Sequence, residues 1–471
     1  MADEFPQDPQ PSFLIGSILL AQQQLPAARS ALEKSVSISP SLPAIERLVD
    51  HDIAERNFAA ATARIQAQID RDPKIALAWA IRGKISAAQR DLAKAEPDLL
   101  KAIELDPNFE TAYELLAQVY LASNKPEQAV EKLKNFLEKK KTIPALFMLA
   151  GIQERMKNYP AARDSYEQAL ALNPNLVPAL NNLSVLYSEQ LGDSQKGYDL
   201  AKKARDANPN EPHIADTFGW VLFQRGQYAE ALRVLQESAA RLPQNAEVQF
   251  HLGSAQYMTG QEALALASLK KATELGDFLG KDVAAKRISI LSIDTAAPTS
   301  QSRPALEAFL REQPNDPVAL FKLADLQNRD GAPDDAIKTY DKLLAADPYF
   351  TPALQRLAIL YGQKSVDYPR AFDVAQKAYQ AYPDDPEVTK ALGILNYRRD
   401  YYPRAADLLK QAAAKRTDDP EIFYYLGAAQ HQLKQWSDCK ASFERATNLN
   451  LAPALAEKAK GLLAACTENA A

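Results

Sequence analysis

The sequence predicts an all-α solenoid built from about a dozen antiparallel helix pairs. Three observations predict it. Prolines recur at a fixed beat, Pro40, Pro73, Pro107, Pro174, Pro209, Pro243, Pro348 and Pro383, in steps of 33 to 35 residues or a multiple where one is missing. Small residues recur inside that beat, at Gly83, Ala117, Ala150, Gly253 and Gly427. Apolar residues at spacings of three and four give each segment one helical stripe. A unit this short cannot bury its face alone, so neighbours must stack into one continuous core. At 471 residues the chain is too long for one compact core, which fits an array.

Each element follows from local chemistry. In every unit the small residue lets the first helix approach the second closely. Gly226, Gly260 and Gly331 fall in the turns, where a left-handed residue is easy for glycine. The second helix stops before the proline, which cannot continue it. The register is 9–41, 42–75, 76–109, 110–142, 143–176, 177–211, 212–245 and 246–279, then 317–350, 351–385, 386–419 and 420–453. Residues 1–8 are acidic and proline-rich and read as a disordered or non-native start. The run FLIGSILLA, residues 13–21, follows that acidic start and not a basic one, so it is not read as a signal peptide.

A longer repeat overlies the short one. Residues 143–291 align with 317–465 at a constant offset of 174, pairing Tyr187 with Tyr361, Gly219 with Gly393 and Gly253 with Gly427. Within it, GKDVAAKRISIL (280–291) aligns with ALAEKAKGLLAA (454–465). The second of these closes the array and reads as a capping helix, so the first should be a cap in mid-chain. SIDTAAPTSQS (292–302) is small and polar and reads as a linker, and 303–314 resembles only the second helix of a repeat. Two arrangements follow: lobes 9–291 and 303–471 that meet at a break, or one uninterrupted array with a degenerate repeat.

The side chains resemble the tetratricopeptide repeat family over about residues 9–465. In 76–109, Trp79, Gly83, Ala95, Leu99, Ala102 and Pro107 match the family pattern, and in 110–143 Tyr113, Leu116, Ala117, Tyr120, Ala129 and Leu133 do so. The resemblance implies a right-handed superhelix. Its concave face is lined by the second, fifth, ninth and twelfth residues of each first helix. Trp220 is then on the concave wall, with Phe223, Phe250 and Tyr257 and with Val185, Asp216 and His251 close by. The duplicated wall carries Ile394, Tyr397 and Tyr424. These ten residues are the candidate partner-binding set, because aromatic patches in a concavity mark interaction surfaces. The competing reading is that neighbouring repeats bury the rings against each other. Asp216, Trp220 and His251 would form a polar handle or a tie between repeats. A cation–aromatic cluster, Tyr397, Arg398, Arg399, Tyr401 and Tyr402, would suit an acidic peptide or a saccharide, or stay solvated. An asparagine ladder is absent, since only Asn182 occupies the sixth place.

No nucleotide loop, nucleophile motif or metal-ligand spacing occurs, so the reading is non-enzymatic, with no cofactor and no metal. The formal net charge of −5 with dispersed Lys and Arg argues against nucleic acid. No apolar run is long enough for a membrane span. Cys439 and Cys466 are too few for a disulfide framework, and are either buried thiols or one bond to the cap. The expected partner is a protein or peptide segment. The stretch 212–291, with ADTFGWVLFQRGQYAEAL, resembles the ends of large bacterial tetratricopeptide proteins, some from exopolysaccharide and exosortase systems. That implies a scaffold in an envelope assembly, although the second block departs from the pattern. Two other readings stay open: the repeat arm of an enzyme such as a glycosyltransferase or protease, and a cytoplasmic adaptor.

Overall fold

The computed structural model describes residues 7–363 and 368–470. Most of the expected disordered start, residues 1–6, lies outside them. The described residues hold twenty-seven α-helices. The first helices of the twelve expected repeats begin at 9, 42, 76, 110, 143, 177, 212, 246, 317, 351, 386 and 420, each the opening residue of its repeat. All twelve are 13 residues long.

The boundaries have the expected causes. Helices Phe58–Arg71, Leu92–Leu105 and Tyr228–Arg241 each end two residues before Pro73, Pro107 and Pro243. A Cβ on Gly83 would lie 2.7 Å from Leu99 Cγ, so only glycine admits that helix contact. The turns hold more than sequence reading foresaw. Gly226, Gly260 and Gly331 take φ of 75°, 72° and 79° as expected, but Gln23, Arg56, Arg90, Asn124, Lys157, Asp400 and Lys434 also have positive φ. A left-handed residue without glycine costs about 1 kcal/mol, so packing and capping must hold it there. The caps are visible: the N–H of Arg56 donates to Ile53 O at 3.0 Å and that of Asn57 to Asp52 O at 2.7 Å, closing the helix end.

The chain forms two compact units, one ending at Thr217 and one starting at Phe218, divided inside helix Pro212–Gln224. In the first, Ile45, Val49, Ile65, Ile81 and Ile85 form one core patch and Tyr113, Leu133 and Phe136 another. Buried Asp52 is clamped between Arg29 (2.7 Å) and Arg64 (2.9 Å), an ion network joining the first two repeats.

In the second unit the expected linker does not interrupt the core. The mid-chain helix Lys281–Leu291 and helix Ser302–Glu312 contribute Ile290, Leu291 and Leu306 to one apolar cluster that runs from Phe250 to Leu408. The compact units therefore divide at residue 217 and not at 292–302. The intervening residues 292–301 are non-helical but pinned. Buried Lys322 donates to Ile293 O at 2.7 Å and pairs with Glu262 at 2.7 Å. Helix Pro453–Ala470 follows the last repeat, at the place the sequence reading gives to a cap. Cys466 on it is bonded to Cys439 on helix Trp436–Asn448, with Cα atoms 6.0 Å apart and both side chains buried.

Candidate functional site

Two aromatic walls in the second unit are related by the 174-residue offset, and the structure treats them differently. The first is the Trp220 wall. Trp220, half-buried, stacks on Phe223 at 4.7 Å and on His251 at 4.0 Å between ring centres. Phe250 is buried and packs against Phe278 at 5.2 Å. Tyr257 is fully buried and donates its hydroxyl to Asp316 at 2.7 Å.

The chain itself covers this wall. Helix Lys281–Leu291 carries Arg287, whose guanidinium carbon sits 5.1 Å from the centre of the Tyr257 ring and 5.9 Å from that of Phe223. Burial lowers the pKa of that guanidinium, while Tyr257, Asp316 and Tyr228 oppose the shift. Burial likewise raises the Asp316 carboxyl, against the N–H of Ala319, Tyr257 and Arg287. The open-groove expectation thus changes at Phe250, His251 and Tyr257, which are buried. The reason is that the next helix is not a remote cap. It lies directly on the wall, and its arginine fills the space over the rings.

Of the remaining expected residues, Val185 is partly exposed and Asp216 buried, both in the first unit. Ile394 is buried at 1% exposure and serves the core.

The second wall borders an open cleft, although Tyr424, like its counterpart Phe250, is buried. Tyr397 and Arg398 from helix Pro386–Arg398, and Tyr424 and Tyr425 from helix Pro420–Gln432, face Leu455, Lys458, Gly461 and Leu462 of the closing helix across a cleft of about 550 Å³. The tyrosines hold one another edge-on. Tyr397 lies 5.5 Å from Tyr425 at 66°, and Tyr424 lies 5.1 Å from Tyr425 at 80°. Such pairs prefer this geometry and fix the wall's shape. Tyr402 packs behind Tyr397 at 5.7 Å. Arg398 reaches the Tyr425 hydroxyl at 3.5 Å and the carbonyl of Tyr361 at 3.5 Å. Burial pushes the Tyr424 hydroxyl up to about 12 and raises that of Tyr397, so both stay protonated at neutral pH. The lining therefore presents two cations, three phenols and two leucines, and no carboxylate.

The structure brings together Tyr397 and Tyr424, both expected, with Tyr425 and Arg398. Of the other members of the cation–aromatic cluster, Tyr402 stays against Tyr397, while Arg399 and Tyr401, 5.5 Å apart, lie outside the cleft lining. Arg399 lies over Phe372 at 4.3 Å, and Tyr401 stands exposed. Sequence reading missed the contribution of the closing helix. The signal was present in the offset of 174, which sets Gly461 against Arg287 and Lys458 against Ala284.

Among the described residues no helix is long and apolar enough to cross a membrane. A family model described as Tetratricopeptide repeat matches residues 47–108, 217–278 and 299–349. A model of anaphase-promoting complex, cyclosome, subunit 3 matches 89–169. The chain is 27% identical over 176 residues to a TPR repeat-containing protein of Pseudomonas aeruginosa, covering 36% of this chain and 28% of that protein. It is 33% identical over 89 residues to a small glutamine-rich tetratricopeptide repeat-containing protein of Mycosarcoma maydis, covering 19% and 25%. The matches thus span less than a third of either relative's length. A solved tetratricopeptide repeat protein from Parabacteroides merdae aligns with 53% of this chain and 98% of its own, at 17% identity and a TM-score of 0.39. The recurring helix pair, its glycine contacts, its capped turns and the family-model match make the chain a tetratricopeptide repeat protein.

Proposed function

We propose that this chain is a non-catalytic scaffold that holds a segment of a partner protein in the cleft between Tyr397, Tyr425 and the closing helix. One observation carries the reading. Of two aromatic walls related by the 174-residue offset, one is plugged by the chain's own Arg287 and the other borders an open cleft. Tetratricopeptide repeat proteins generally act as protein–protein interaction scaffolds, and a concavity with aromatic anchors is the surface such a role uses. A setting in a bacterial envelope assembly belongs to the same proposal. Its support is the buried Cys439–Cys466 bond, since such bonds persist in oxidising compartments and are rare in the cytosol.

Site-specific photo-crosslinking in the native host tests the site. A photoreactive residue at Lys458 should trap a discrete protein, and one at the exposed Lys410 should not. Equal patterns at both positions, or none at Lys458, would sink the proposal. Alkylation of thiols before lysis tests the compartment: free thiols at both cysteines in the native host would place the chain elsewhere.

A further inference from the structure

The chemistry of the occupant follows from what differs between the two walls. The closing helix of the first block brings Arg287 over the rings, and its neighbours at matching places are Ala284 and Gln224, both uncharged. In the second block the same places hold Gly461, Lys458 and Arg398. Nothing lies within 4 Å of where a Cβ on Gly461 would be, so the space that Arg287 fills in one block is vacant in the other. The cations have moved from the centre of the cleft to its sides.

Building on the reading that this cleft holds a partner segment, we propose that the segment is an acidic peptide stretch with an apolar or aromatic side chain. Its carboxylates would lie between Arg398 and Lys458, and its apolar side chain over Gly461 against Tyr397 and Tyr425. Charge complementarity carries this. The lining offers two cations and no carboxylate, and among the described residues Lys458, which is exposed, has no ion-pair partner. A cationic segment would meet like charges. A neutral saccharide would leave both cations without a counter-charge. Charged groups on the rim fix the sign of the partner, while the desolvated rings supply anchoring area. The acidic preference should weaken as salt rises, because Lys458 is exposed.

The two blocks supply their own test variants, since each substitution installs a residue the other block already tolerates. The full chain and its Gly461→Arg variant would be panned against a random-peptide phage library, and enriched peptides measured by titration calorimetry at low and high salt. Enriched sequences should be rich in Asp and Glu beside Phe, Leu or Trp. Gly461→Arg should cut their affinity roughly tenfold or more, about 1.4 kcal/mol. A double variant, Arg398→Gln with Lys458→Ala, should erase the difference between each acidic peptide and its Asn/Gln counterpart. Circular dichroism and melting confirm that each variant is folded. Enrichment of neutral or basic peptides that Gly461→Arg abolishes would overturn the acidic occupant and leave the cleft as the partner site. Enrichment unaffected by Gly461→Arg would overturn both. Binding of polygalacturonate with no enriched peptide would make the occupant a saccharide, and the proposal would fail.

Discussion

The walls at Phe223 and Tyr397 stand one 174-residue offset apart in the sequence. Phe223 packs on Tyr228 at 5.3 Å and 59°, and Tyr397 packs on Tyr402 at 5.7 Å and 58°, at positions exactly one offset apart in the chain. This one ring pair recurs, while Trp220 is matched by Ile394. On the helix that follows, Arg287 is matched by Gly461 and Ala284 by Lys458. Where the residue is Arg287, the helix belongs to the interior of an array, with Asp316 and Tyr257 beside it. Where it is Gly461, the space beside the rings is left as a cleft. The lesson is that one side chain on the following helix decides whether the space beside a recurring ring pair is filled or left as a cleft.

The comparison breaks most severely at Asp316. This carboxylate accepts from Tyr257, caps its helix through the N–H of Ala319 at 2.9 Å and faces Arg287. Asp316→Ala leaves a buried cation without its counter-charge, which costs roughly 3–5 kcal/mol. Hydrogen exchange over residues 250–330 should show the loss confined to that region. Unchanged protection there would mean that Arg287 is not held by this carboxylate.

Reduction of Cys439–Cys466 should come next. The bond closes a loop with a sequence separation of 27, and losing it should cost roughly 3 kcal/mol. The closing helix should then exchange faster while the Arg287 region does not respond, and peptide capture at the cleft should fall.

Arg287→Gly makes the first wall resemble the second. Glycine inside a helix costs about 1 kcal/mol, and the cation–ring contacts are lost as well. Part of that loss is offset, because Arg287 Nη1 is buried with no hydrogen-bond partner. With Trp79 and Trp436 replaced by Phe, acrylamide should quench Trp220 more strongly in Arg287→Gly than in the parent. Equal quenching would show that the arginine does not shield the wall.

Alkaline titration sharpens the second wall. The Tyr424 hydroxyl is raised from 10.0 to about 12, chiefly by burial. A raised acid favours the fold below the unfolded value, and that contribution is lost as pH climbs from about 10 through about 12. Tyr424→Phe should flatten this part of the stability curve. The smallest effect is Gly461→Ala. With open space around it, alanine should stabilise the closing helix by up to about 1 kcal/mol. At Gly83 the same change meets Leu99 at 2.7 Å and should destabilise. A loss of stability in Gly461→Ala would mean that the cleft is tighter than the structure shows.

Much of this architecture was legible in the sequence by itself. Proline spacing, small residues and apolar stripes located twelve first helices to the residue, because those signals are local: a helix stops where its next N–H is missing, and two helices touch closely where a side chain is absent. The duplication was legible too, and with it the pairing of Arg287 with Gly461. Tertiary structure alone decided the rest. The left-handed turns at Gln23, Arg56 and Lys434 carry no glycine to announce them, since packing imposes that φ. Whether an aromatic side chain at a concave position is exposed depends on the next helix, which periodicity does not place. His251 and Tyr257 are buried and their counterparts Tyr425 and His431 half-exposed for that reason, while Phe250 and Tyr424 are buried alike. The segment 292–301 has a linker's composition, yet Lys322 and the apolar residues on either side hold it within one core. Composition records what a segment can do in water, and burial depends on which surfaces meet it in the folded chain.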